Sequence, residues 1–331
     1  MANLKNTSII DTGFLQLPVG TTAQRPSPAA GQMRVNSTFG FVEYYNGSAW
    51  INFDERVEAT SSGSVVNDKK GYRIHSFFGS GTFTVNRPGT IEYLIVAGGG
   101  SGGTSRQEHR GGGGGAGGLL QGFTYLEVGT YTITVGAGGA RVATTSSRIQ
   151  GNNGENSSAF GLTALGGGGG SGGSGSSPSG GSPGGSGGGG HYRGGTSGGA
   201  GTPGQGFAGG NSVASVGGGG GGGAGEPGRT NGSNSGGTAL NKGDNRTQQG
   251  GNGLPSAISG EVLYYAGGGG SGQNSAYSGQ GGLGGGGNCA VTNTSDGFPG
   301  FPNFGGGGGG SRNGRSGAGG SGIIIIRYPL T

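Results

Sequence analysis

Three histidines are the side chains in this 331-residue chain best suited to acid–base or metal chemistry. His75, His109 and His191 are isolated from one another, and no group of histidine, cysteine, aspartate and glutamate has metal-ligand spacing. His75 lies in a strand pattern, which favours a packing or surface role. Glu108 and Arg110 flank His109 and could bind or catalyse, but three adjacent charged residues more often form a solvated turn. We therefore expect no catalytic residue, no metal and no cofactor.

The sequence bears on two classes of enzyme, those that bind nucleotide phosphates and those that cleave polysaccharides. Matches to Gly-X-Gly-X-X-Gly are abundant, but chance produces them in so glycine-rich a chain, and the phosphate-binding Gly-Lys-Ser/Thr is absent. Cleavage of a polysaccharide would need a pair of carboxylates in a sugar groove. The chain has only 14 acidic residues, and they are spread thinly. We expect that the chain is not an enzyme, with polysaccharide cleavage kept as a third alternative.

Binding is better supported, because several aromatic residues lie among glycines and polar residues. Aromatic rings supply contact area at low entropic cost, and tyrosine and arginine are favoured at binding hot spots. The alternative is that the rings cover glycine layers as local plugs. The candidate contact residues are His191, Tyr192, Arg193, Tyr277, Phe298, Phe301 and Phe304.

Charge and cysteine content narrow the class of protein. The net charge is +5, but 19 basic and 14 acidic residues are dispersed, which is weak evidence for nucleic acid. Arginine precedes two glycines only at Arg110 and Arg193, whereas single-strand-binding tails repeat this unit. Cys289 is the only cysteine, so the fold needs no disulfide and could form in a reducing cytoplasm. We expect no nucleic-acid partner, no secretion leader and no membrane span.

Glycine dominates the chain after Ala97, where 87 of the 97 glycines make up 37% of the residues. A flexible linker would have such a composition, but a linker would not carry the apolar segments 91–96, 131–135, 262–265 and 323–328. Collagen is excluded because it needs glycine at every third position. Uninterrupted glycine runs occupy 111–115, 166–170, 217–223, 284–287 and 305–310.

A third arrangement is physically coherent. Glycine segments could form extended helices with three residues per turn, pack closely for lack of a Cβ atom, and pair their main chains laterally. Ordering glycine costs much entropy, so we expect flanking β-strands to clamp the bundle. The predicted fold is all-β plus polyglycine II helices. The predicted domains are an N-terminal β-meander module over 1–56, a linker over 57–70 and a β-clamped glycine-rich helical bundle over 71–331.

Two parts of the chain resemble bacteriophage tail-fibre proteins. The N-terminal module resembles one common near the ends of such fibres, and the second half is similar to the glycine-rich domain of fibre tips, as in the distal adhesins of T-even-type phages. Those adhesins are separate subunits with a different attachment domain, so the resemblance does not extend to how the N-terminal module docks. The resembling segments are 12–26, 31–36, 43–50, 81–85, 92–100, 132–139 and 320–329.

The resemblance implies a function and partners. It implies a fibre or fibre-tip adhesin in the virion, made in the host cytoplasm, that attaches to a bacterial glycan or outer-membrane protein through loops at the ends of the glycine rods. It further implies a homotrimer, with the N-terminal module either joining copies or docking onto other tail proteins. The alternative is a purely structural fibre or capsid decoration that binds no receptor.

Overall fold

The computed structural model describes residues 16–53, 57–105, 111–143, 149–172, 180–191, 195–212, 217–230, 248–272, 279–292 and 294–330. Within these residues the chain is all-β, as predicted, and its one helix is a three-residue 3₁₀ turn, Thr22–Gln24. The strands are β1 (Val19–Gly20), β2 (Met33–Asn36), β3 (Phe41–Tyr45), β4 (Trp50–Asn52), β5 (Glu58–Ser62), β6 (Val65–Lys69), β7 (Tyr72–Phe77), β8 (Gly81–Arg87), β9 (Gly89–Val96), β10 (Leu119–Leu126), β11 (Gly129–Ile133), β12 (Ser157–Ala159), β13 (Leu162–Ala164), β14 (Leu254–Ser256), β15 (Leu263–Tyr265) and β16 (Ile323–Pro329).

The N-terminal module is a four-stranded sheet in the order β1-β2-β3-β4. Strands β2, β3 and β4 form the meander expected from alternating apolar and polar residues, and β1 adds to β2 in parallel. The turn before β4 forms because the Asn46 side-chain oxygen accepts the backbone N–H groups of Ser48 and Ala49, at 2.9 and 2.8 Å. Gly47 has a φ of 104°, which a side chain would oppose.

The middle of the molecule is a sandwich of two antiparallel sheets. The larger has the order β10-β9-β16-β7-β6 and the smaller the order β11-β8-β5. Alternate residues of the facing strands form one core between the sheets, as period-two patterning requires. Its largest fully buried members are Phe77, Phe83, Ile91, Ile95, Ile133, Ile324 and Ile326.

Strand β16 explains the run of four isoleucines at 323–326. It lies in the centre of the larger sheet, paired with both β9 and β7. Ile324 and Ile326 enter the sandwich core, whereas Ile323 and Ile325 pack on the other face against Ala116 and other residues of the glycine-rich part. Because both faces of β16 are covered, its sequence shows no alternation of apolar and polar residues.

Residues 58–69 are not a linker, contrary to the prediction. They form β5 and β6, each at an edge of one sheet of the sandwich. Every residue of β6 except Lys69 is exposed, and β5 is exposed at alternate positions. Edge strands with so much exposed surface can be polar, which is why their sequence resembles a connecting segment.

Beyond the sandwich, extended glycine segments lie side by side, and their main chains hydrogen-bond laterally. In segment 97–104, Gly98, Ser101 and Thr104 donate to the neighbouring segment 149–155, at 2.8 to 3.0 Å. The residues between them donate to two other neighbours, 317–320 and 112–115. Each of the three neighbouring segments therefore accepts a hydrogen bond from every third residue of segment 97–104.

Segment 111–118 is the most enclosed of these segments. Its N–H groups donate to three neighbouring segments in turn. The first three bonds run from Gly111 to Ser311, from Gly112 to Ser171 and from Gly113 to Gly219. Its carbonyl groups accept N–H groups from three others, within 97–103, 186–189 and 267–270. A buried backbone needs such partners, and the six surrounding segments supply them.

The prediction of a β-clamped polyglycine helical bundle is wrong. Within the described residues no helix reaches seven residues. Lateral main-chain bonds already satisfy the backbone groups of the glycine segments, so the segments need no helical hydrogen bonds and remain extended. Close approach of segments lacking Cβ atoms is observed, but it joins extended chains within an all-β protein.

His75 gives a prediction about pH. Its ring is buried between the sheets, with Nδ1 2.7 Å from Ser61 Oγ and Nε2 3.1 Å from Tyr328 Oη. Burial, aided by the charge of Arg73, lowers the pKa of His75 from 6.5 to about 4. The unfolded chain then binds the proton more readily, so the stabilisation is complete above about pH 6.5 and is lost as the pH falls towards 4.

We expect the free energy of unfolding to fall by about 2–3 kcal/mol between pH 7 and pH 4.5, since one pKa unit corresponds to about 1.4 kcal/mol. Urea unfolding at pH 7 and at pH 4.5, monitored by circular dichroism, measures this difference in free energy. The His75→Gln variant should be less stable at pH 7 and less sensitive to pH. If the unaltered chain and His75→Gln lost the same stability between pH 7 and pH 4.5, groups other than His75 would be the cause.

Candidate receptor-binding surface

The glycine segments run between the sandwich and one far end of the molecule, which we call the distal end. Segment 97–104 leaves β9 and segment 111–118 returns to β10. Lateral bonds join segment ends there, with the Thr104 N–H donating to Ile149 O at 3.0 Å and the Asn313 N–H to Ser105 O at 2.9 Å. The distal end comprises Thr104, Ser105, Arg141, Val142, Ile149, Gln150, Ser171, His191, Thr196, Ser212, Ser271, Val291, Asp296 and residues 311–316.

Buried hydroxyl groups fill the space next to His191 at this end. His191 Nδ1 lies 3.0 Å from Ser171 Oγ, and Thr196 Oγ1 donates to the His191 carbonyl at 2.9 Å. Ser212 Oγ accepts the Thr196 N–H at 2.8 Å. His191 is buried, so its imidazole joins neighbouring segments and is not presented to a receptor.

An ionic cluster ties three segments of the distal end together, at Arg141, Asp296 and Arg315. Asp296 Oδ2 lies 3.1 Å from Arg141 Nη2 and 3.0 Å from Arg315 Nε, and Asp296 Oδ1 accepts the Arg315 N–H at 2.9 Å. Partial burial alone would raise the pKa of Asp296, but the Arg315 N–H and the two guanidinium charges lower it below its ordinary value. Sequence reasoning missed this cluster because Arg141 and Asp296 are 155 residues apart.

The three candidate phenylalanines have different environments. Phe298 and Phe301 are each more than half exposed. Their backbone N–H groups donate to one neighbouring segment, Phe298 to Asn288 O and Phe301 to Gly285 O. Phe304 stacks on Tyr265 with ring centroids 5.5 Å apart, against the core beneath the larger sheet. Phe304 is thus partly covered by packing, whereas Phe298 and Phe301 present exposed rings.

The remaining candidates, Tyr192, Arg193 and Tyr277, lie outside the described residues. The described residues next to them, His191 and Gly279, are held by hydrogen bonds at or near the distal end. Their role in receptor contact stays a prediction.

One cleft was not expected from the sequence. It has a volume of about 480 Å³ and lies at the β10–β11 and β12–β13 turns, at the end of the sandwich away from the glycine segments. Tyr131 and Phe160 meet edge to face there, with ring centroids 5.6 Å apart. Burial raises the pKa of Glu127, which lines the same cleft. No sequence signal marks the cleft, because the two turns come together only through the sandwich.

Across the described ranges, no three His, Cys, Asp or Glu side chains are grouped so that they could hold a metal ion. No helix in the described part of the chain has the length and apolar character needed to cross a membrane.

The family model of the glycine-rich domain matches residues 78–329, which include the sandwich from β8 onward and all the glycine segments. No curated protein matches the chain. Since the model spans well over half of the sequence, the chain belongs to the glycine-rich domain family.

Proposed function

We propose that this chain is a phage tail-fibre or fibre-tip adhesin that attaches the virion to a bacterial surface. The resemblance of residues 12–50 to a tail-fibre module, and of the glycine-rich part to fibre tips, supports the proposal. In this proposal the chain resides in the virion and acts by binding alone, without catalysis. Its receptor is a glycan or an outer-membrane protein.

The observation that carries the proposal is the common distal end. Segments that leave the sandwich at different strands end side by side, and main-chain bonds such as Ala290 N–H to Gly310 O, at 3.0 Å, fix them there. A binding surface gains affinity when its scaffold is rigid, because little freedom is lost on contact. Turns held on such a scaffold are where binding residues tend to lie.

Several copies would act together in this proposal. Copies joined or docked through the N-terminal module would direct several distal ends towards one cell. Modest affinity at each site is then amplified, since the later contacts form at high effective concentration.

Substitution of the candidate contacts tests the proposal. In phage that carry Tyr192→Ala, Arg193→Ala and Tyr277→Ala together, we expect the adsorption rate on a susceptible strain to fall by about tenfold or more. Loss of a hot-spot side chain commonly costs above about 1.4 kcal/mol, which is a factor of ten. Unadsorbed phage counted over time give the rate.

The matched control is Phe123→Ala, which removes an exposed ring from β10. The control should adsorb as the unaltered phage does, and in all variants the segment 71–331 should resist protease equally. Normal adsorption by the triple variant, together with normal adsorption by a Phe298→Ala, Phe301→Ala variant, would leave the purely structural role as the explanation.

A further inference from the structure

The N-terminal sheet buries polar side chains on one face, beside Phe41 and Trp50, and leaves apolar side chains on the other face. One face lies against the sandwich, where Asn52 Nδ2 donates to Pro88 O at 2.8 Å and the Arg87 guanidinium lies 5.3 Å from the Phe41 ring centroid. Four buried polar side chains belong to this inner face. They are Arg34, Asn36, Glu43 and Asn52.

The opposite face, which we call the outer face, is formed by aliphatic and aromatic side chains in the described part of the sheet. Register places Val19, Val35 and Val42 in one row across β1, β2 and β3, and Met33, Tyr44 and Ile51 in the next. The Phe53 ring lies 5.0 Å from that of Tyr44. Val19, Met33 and Phe53 are 65%, 43% and 57% exposed, and Val35, Val42, Tyr44 and Ile51 are half-buried.

Internal contacts fix this orientation. Arg25 binds the Glu43 carboxylate with two nitrogens, at 2.8 and 3.3 Å, and Asn36 Nδ2 donates to it at 3.0 Å. A shift of register by one residue would turn every side chain to the other face, and would break this buried network. The sheet therefore cannot hide its apolar side chains by slipping.

We propose that the outer face binds the same face of a second copy of this chain. A contiguous apolar surface on a folded protein marks an interaction site, and two sheets can pack face to face with their side chains interdigitated. Among the described residues the outer face carries no charged side chain, so two identical faces can meet without bringing like charges together. Interfaces between copies of one chain are also more apolar than interfaces between different proteins.

The position of the outer face suits this partner. β9 runs from Gly89 to Val96 and continues into the glycine segments, so Pro88 and the N-terminal module lie at the end of the sandwich away from the distal end. Pairing through the outer face leaves every distal end uncovered. The proposal does not depend on attachment to a host, because it concerns the isolated chain.

Sedimentation equilibrium of the purified full chain tests the proposal. We expect the unaltered chain to sediment at a multiple of its own mass, and Val42→Glu to raise the dissociation constant by at least about tenfold. Phe123→Glu, which adds the same charge on an exposed position elsewhere, should associate as the unaltered chain does. A monomeric unaltered chain, an unaffected Val42→Glu variant or an equally impaired Phe123→Glu variant would each overturn the proposal.

A second measurement covers the case in which Val42→Glu unfolds the module. Ile51→Cys places a thiol on the outer face, and the native Cys289 is buried. A short bifunctional maleimide should link Ile51→Cys chains into covalent dimers and should not link Phe123→Cys chains. Failure to link Ile51→Cys chains, or equal linking of both variants, would contradict face-to-face pairing.

Discussion

Replacing Gly114 by alanine is expected to unfold the glycine segments. A Cβ atom on Gly114 would lie 2.1 Å from the Gly100 carbonyl oxygen and 2.8 Å from that of Ser101, and both are backbone atoms held by lateral hydrogen bonds. Neither can move without breaking bonds to further segments. We expect a loss of at least about 3 kcal/mol, the upper part of the usual range for overpacking. Urea unfolding and protease resistance of segment 71–331 measure it.

Gly129→Ala is the matched control. Gly129 lies in β11 at a position where an added Cβ meets no atom within 4 Å, and its φ is not positive. Alanine there should be neutral or stabilise by up to about 1 kcal/mol, because it lowers the entropy of the unfolded chain. If Gly114→Ala proved as stable as Gly129→Ala, the close lateral packing of segment 111–118 would be refuted.

Replacing Glu43 by glutamine is expected to destabilise the N-terminal sheet strongly. Glu43 is fully buried, with Arg25 Nη2 at 2.8 Å and Arg34 Nε at 3.5 Å. Glutamine keeps the shape but leaves two guanidinium groups close together without a counter-charge. Removal of one partner from a buried ion pair costs about 3–5 kcal/mol, and since Arg25 is partly exposed we expect about 3 kcal/mol.

Trp50 provides the measurement, because it is the only tryptophan of the chain and lies in this sheet, 6.0 Å from the Arg25 guanidinium. The urea midpoint of its fluorescence change should fall markedly in Glu43→Gln. Asp68→Asn removes a carboxylate from an exposed pair with Arg73, and exposed pairs contribute little. That control should leave the Trp50 transition unchanged. A shift of equal size in both variants would show that burial of Glu43 is not the cause.

Several of the strands could be predicted from the sequence, although β5 and β6 could not. Alternation of apolar and polar residues marks β2, β3 and β4, and Asn46-Gly47 marks the turn between the last two. The apolar segments 91–96 and 323–328 were expected to need partners, and they pair with each other as β9 and β16. These elements were predictable because their patterns depend on neighbours close in sequence or on burial alone.

The arrangement of the glycine segments was not predictable in the same way. A glycine has no side chain to indicate a face, so composition showed that close packing was possible without showing which segments meet. The candidate site shows the same limit. Phe298 and Phe304 belong to one sequence motif, but only Phe298 is exposed. Whether a residue beside a glycine run is buried depends on segments that are distant in sequence.

The central place of β16 in the larger sheet has a consequence for biosynthesis. β7 and β9 pair with β16 and not with each other, and all the glycine segments are translated between β9 and β16. A ribosome therefore extrudes the whole glycine-rich stretch before the strand that joins the two halves of the sheet emerges. Closure of the sheet must wait for that late strand, and contacts between parts so distant in sequence form slowly. A nascent chain that stalls before residue 323 would lack the strand on which both halves of the sheet depend.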